Sequence, residues 1–206
     1  MGDDAELVRF ASRCRLTIEG DELHDLPLGY RRQIWRLMGP TIASTGLFSQ
    51  IAHQRRFELA RHCIVQSRER WLANIEERSL IDDSIQLSNA VMLKDVAQDV
   101  AWTRHGEWWT VCDNLASNRP DLVAEICIAY GAVQLIAVAL RDELFGDNLP
   151  QALTDADVDP DELDCSFCAA AAFAGGPVWS AVSNAKVRGE FWRWWLDTAL
   201  LVSKNK

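Results

Sequence analysis

Apolar positions recur along this chain at intervals of three and four residues, the period of a helix with one buried face. Leu7, Phe10, Cys14 and Ile18 place a first helix over residues 6–18. Ile34, Trp35 and Met38 mark a short helix over 31–38, stopped by Gly39-Pro40. Residues 53–78 read as one long amphipathic helix with Phe57, Ala60, Ile64, Trp71 and Ile75 inward and Arg56, Arg68, Glu69 and Glu76 in solvent. Ser79, with Asp82 three residues on, is placed to cap the next helix. That helix carries Ile81, Ile85, Met92, Val96 and Val100 and is expected to end near Gly106. Trp108, Trp109, Cys112 and Leu115 give a further helix over 107–116, and Arg119-Pro120-Asp121 opens the most apolar one, expected to run to Gly146.

Beyond a loop over 147–158, Asp159, Pro160 and Glu162 have the residue types of a helix N-cap and first turn. Cys165 to Ala174 continues that helix in small apolar residues suited to close packing. After Gly175-Gly176-Pro177, residues 187–202 read as a last helix. Phe191, Trp194, Trp195 and Thr198 share one face, Trp192, Leu196, Ala199 and Leu200 the next, and Arg193 and Asp197 form an i,i+4 pair. No alternating strand pattern exceeds four residues. The expected class is all-α, a single-domain bundle of about eight helices over residues 1–206, with Trp71, Ile126, Tyr130, Trp179, Phe191 and Trp195 in its core.

Charge divides the chain. Residues 1–80 carry 12 basic and 11 acidic groups, residues 81–164 carry 4 and 17, and residues 165–206 carry 5 and 2. So acidic a middle argues against nucleic acid, whose phosphates need Lys and Arg, and suits a basic protein. Residues 1–20 have no apolar leader pattern, and the most apolar run, 126–140, is shorter than the roughly 20 residues of a membrane span. The expected compartment is the cytoplasm, with six reduced cysteines.

Candidate chemistry is sparse. Cys165-x-x-Cys168 has the spacing of half a metal site, but Cys14, Cys63, Cys112 and Cys127 stand singly and a zinc site needs about four ligands. Asp155, Asp157 and Asp159 begin like a calcium loop, yet Pro160 and Ser166 occupy the positions that require Gly and Glu. Catalytic residues, a metal and a cofactor are therefore not expected.

Several stretches resemble an all-helical family of bacterial immunity proteins from polymorphic toxin systems, immunity family five. They are Gly29-Tyr30-Arg31 with Ile34-Trp35, Leu59-Ala60 with Cys63, and Ala139 to Asp142. Gly175-Gly176-Pro177 with Trp179 follows, and last the block Arg188 to Leu196. The resemblance implies a cytosolic, non-catalytic protein that binds and neutralises one cognate toxin domain in bacterial competition. A basic, nuclease-type toxin would suit the acidic segment, with Asp155, Asp157, Asp159, Asp161 and Glu162 as the expected contact residues. The alternatives are a helical enzyme or small-molecule binder with a pocket of Trp and Cys side chains, or a helical adaptor.

Overall fold

A computed structural model describes residues 4–40, 49–70, 79–142, 154–157 and 163–204. Among the described residues there are eight α-helices and no strand: α1 (Asp4–Gly20), α2 (Leu28–Leu37), α3 (Gln50–Ser67), α4 (Leu80–Leu93), α5 (Gln98–Asn118), α6 (Val123–Arg141), α7 (Cys165–Ala174) and α8 (Ala185–Val202). Short 3-10 turns occupy Arg68–Arg70 and Asp155–Asp157. The chain divides into two compact units. One comprises Met1–Leu59, Glu143–Leu163 and Ala185–Lys206, the other Ala60–Asp142 and Asp164–Asn184.

In the first unit α1 packs on α2 and α8. The apolar stripe of α1 is buried, as are Phe191, Trp192, Trp195 and Leu196 of α8. Trp195 meets Trp35 edge to face at 6.2 Å and Trp192 at 5.9 Å, a favoured geometry for aromatic pairs. Gly39 ends α2 at φ 142°, and a Cβ there would stand 2.7 Å from that of Ala52, so the turn requires glycine. Arg56, expected in solvent, is buried. Its Nη1 donates to the Trp35 and Gly39 carbonyls (3.2 and 3.1 Å), tying the end of α2 and the turn after it to α3. Gly189, a poor residue for a helix interior, faces His24, whose Cβ and Cγ would stand 3.0 and 3.4 Å from an added Cβ. The expected Arg193–Asp197 pair is replaced by one between Asp197 and Arg15, at 2.5 Å.

The second unit is built on α6, which packs against α4, α5 and α7. By length and composition α6 could cross a membrane, but 72% of its apolar window is buried, which makes it the core helix of its unit. At Gly131 an added Cβ would come within 2.8 Å of the Cys168 Cβ and 3.0 Å of the Ile64 Cδ1. That close approach is what the small residues of α7 permit. The Cys165 thiol donates to the Gly131 carbonyl at 3.4 Å, and the Ser67 hydroxyl donates to that of Ala169 at 3.3 Å.

Several boundaries differ from the sequence pattern. The helix expected to reach Gly106 stops at Leu93, where Lys94 takes the left-handed conformation (φ 63°); α5 then runs straight through Gly106. Ser79 occupies the N-cap position of α4 in helical conformation, without a side-chain capping bond. The helix expected from Asp159 begins at Cys165 with Asp164 as its cap. The chain leaves α6 at Arg141. Trp179, expected in the core, is 57% exposed: it lies in the turn between α7 and α8 and only stacks on Phe167, at 5.4 Å. Ile126 is buried and Tyr130 half-buried. Trp71, and the part of the α3 pattern beyond Arg70, lie outside the described residues.

Trp195→Ala removes an indole enclosed on every side and should cost about 3–5 kcal/mol, read from urea denaturation. A change below about 1 kcal/mol would contradict this packing.

Candidate functional site

The acidic run expected to form a contact surface is used differently where it is described. Asp155 is 3% exposed and lies against Arg31, itself 0% exposed. Arg31 Nη1 donates to Asp155 Oδ2 at 3.0 Å and to the Leu26 carbonyl at 2.7 Å, while Nη2 donates to Asp155 Oδ1. The guanidinium also lies over the Trp192 ring, 5.2 Å from its centroid. Trp192 Nε1 in turn donates to Asp25 Oδ1 at 2.9 Å. Asp155 is thus committed to the interior: a buried guanidinium demands a buried counter-charge, and this carboxylate supplies it.

Asp157 is exposed, but its Oδ2 accepts from the Thr154 amide (2.9 Å) and hydroxyl (2.7 Å). Those bonds hold its carboxyl below the usual range. Asp164 Oδ1 caps α7, accepting from the amides of Ser166 (2.7 Å) and Phe167 (3.0 Å). Asp159, Asp161 and Glu162 lie outside the described residues. Of the five expected contact residues, only Asp157 is described as exposed.

The cysteines are free thiols, and burial pushes those of Cys14 and Cys127 up to about 12, far from the thiolate that nucleophilic or metal chemistry requires. Among the described residues no cluster of three or more His, Cys, Asp or Glu side chains is placed to hold a metal.

A different surface emerges on α5. Only Ala101 and Cys112 of its 21 residues are buried. Asp99, Trp102, His105, Gly106, Trp109 and Asp113 follow one another at spacings that keep them on one side of a helix. Their rings form a ladder: Trp102 edge to face on His105 (5.4 Å), His105 stacked on Trp109 (5.6 Å), and Trp109 edge to face on Tyr130 of α6 (4.9 Å). Trp102 is 38% exposed, and the Arg141 guanidinium lies 5.3 Å from its centroid. Tyr130 Oη donates to Asp113 Oδ1 at 2.5 Å, and burial together with this bond raises the phenol pKa. His105 is held below the ordinary imidazole value, first by burial, which favours the neutral ring. This surface is hidden in the sequence pattern by Gly106, which reads as the end of one helix and the start of another. The signal was the spacing of Trp102, Trp109 and Asp113 across that glycine.

A family model described as Immunity protein Imm5 matches residues 12–202. No curated protein matches the chain. The residues that carry the resemblance include Arg31, Trp35, Trp192 and Trp195, which meet in the interior of the first unit.

Asp155→Ala leaves the Arg31 guanidinium buried without its counter-charge and should cost about 3–5 kcal/mol, whereas Asp157→Asn should leave the denaturation midpoint nearly unchanged. Equal, small effects in urea titrations would contradict the assignment of Asp155 to the interior.

Proposed function

The chain belongs to the Immunity protein Imm5 family, and on that premise we propose that it binds one cognate toxin domain and holds it inactive. The family match over residues 12–202 is the observation that carries this reading. In it, residues 1–206 act as one domain in the cytoplasm of a bacterium that competes with a polymorphic toxin, and the protein performs no catalysis.

Charge supports a basic toxin as the partner. The chain carries a formal net charge of −9, and the acidic excess lies between residues 81 and 164. A toxin that acts on nucleic acid needs basic groups around the phosphates it engages. An acidic inhibitor would meet such a surface with favourable steering and an association rate that falls as salt rises. The competing reading, an enzyme or small-molecule binder built on the cysteines and tryptophans, has less support: Cys14 and Cys127 are held as neutral thiols, and the buried indoles of Trp35 and Trp192 both pack against Trp195.

Co-expression with the toxin domain encoded by the neighbouring gene should restore growth to cells that the toxin alone arrests, and the two proteins should co-purify. Continued arrest with the protein folded and abundant would refute the immunity reading.

A further inference from the structure

An immunity protein needs a surface on which its toxin sits, and the outer side of α5 presents a run of aromatic rings that the fold leaves partly open. We propose that the toxin domain docks on the ladder of Trp102, His105, Trp109 and Tyr130, laying a lysine or arginine side chain over Gly106 between Asp99 and Asp113. The proposal rests on the immunity reading and adds to it a place and a chemistry.

Gly106 is the first reason. Glycine is the poorest helix former apart from proline, so a glycine inside α5 calls for a reason. Packing inside the chain supplies none: a Cβ built at Gly106 meets nothing within 4 Å. Gly131 and Gly189 are different, since neighbouring side chains leave them no room. What Gly106 does is leave the ladder bare, in the stretch between Trp102 and Trp109. A backbone without a side chain lets an incoming group reach the rings.

The second reason is the kind of surface that is left bare. Tryptophan and tyrosine dominate the binding energy of protein interfaces because they bring large rigid area at low entropic cost. Trp102 is exposed, and Trp109 and Tyr130 are only partly covered among the described residues. Burying them would complete a helix that the fold itself leaves open.

Charge selects the occupant. The carboxylates of Asp95 and Asp99 are exposed and make no ion pair among the described residues, and Asp113 receives only the Tyr130 hydroxyl. One ladder ring already takes a cation, since Arg141 lies over Trp102; beside the ladder, Arg104 lies over Trp108 at 5.7 Å while pairing with Glu107 at 2.8 Å. Burial favours neutral His105, so the ring does not repel a cation. Indole faces flanked by the carboxylates of Asp99 and Asp113, neither of them in an ion pair among the described residues, fit a basic side chain through cation–π attraction and charge together.

Isothermal titration against the toxin domain encoded by the neighbouring gene tests this, with thermal melting as the control for folding. Gly106→Gln places a longer side chain over the ladder at an open position. It should weaken binding at least tenfold while the melting temperature holds or rises. Trp102→Ala should weaken binding by a similar factor, and Asp99→Asn should weaken it and flatten the dependence of affinity on salt. Wild-type affinity and salt slope in all three variants would overturn the docking surface and leave the immunity reading intact. A wild-type protein that neither binds nor protects would overturn the immunity reading, and the surface with it.

Discussion

A guanidinium sealed from water is the constraint on which the first unit depends. Arg31 is fully buried, and a buried charge is tolerable only when its hydrogen bonds and counter-charge are supplied from within. Each supplier is a piece of chain that must be held in place. The Leu26 carbonyl fixes the segment that enters α2, Asp155 fixes the short turn at 155–157, and Trp192 brings α8 alongside. The network continues outward from there. Trp192 Nε1 bonds Asp25, Arg188 donates to the Leu23 carbonyl at 2.8 Å, and His24 fills the space that Gly189 leaves. The polar connection between α1 and α2 is ordered because it answers the needs of α2 and α8.

The second unit follows a different rule. Its centre, α6, is largely apolar and is covered by α4, α5 and α7, most tightly where Gly131 meets Cys168. Its tightest contact rests on small residues rather than on an ion pair, although the carboxylates of Glu125, Asp142 and Asp164 are buried in this unit as well. The helix that gains least from this arrangement is α5, which buries only Ala101 and Cys112 and keeps three tryptophans at or near its surface. Helices draw most of their stability from the face they bury, so a helix so little buried has a surface suited to work outside the fold.

The all-α class was legible because three- and four-residue spacing is a strong signal over long stretches, and α8 begins and ends within two residues of its pattern. Stops and caps were less legible. Lys94 ends α4 in a left-handed conformation without the glycine that usually marks such a stop, and Gly106, which has that mark, ends nothing. Asp159 has the residue type of a cap but lies outside the described residues; the bonds that cap α7 go to Asp164. The acidic run looked like a surface because charge alone does not show its partner: Arg31 precedes Asp155 by 124 residues. The same limit hid the roles of Arg56 and Gly189, whose neighbours are set by tertiary packing.

Family resemblance and candidate site fall on different residues. Arg31, Trp35, Trp192 and Trp195 carry the resemblance and build the interior, whereas Asp99, Trp102, Gly106, Trp109 and Asp113 lie on α5 outside those blocks. A shared fold with a separate contact helix is one way for related inhibitors to keep an architecture and differ in partner. Amide hydrogen exchange of the protein alone and bound to the toxin domain tests this division most directly. Slowed exchange is expected to concentrate in residues 99–113. Protection confined to residues 154–164, with α5 exchanging as in the free protein, would contradict it.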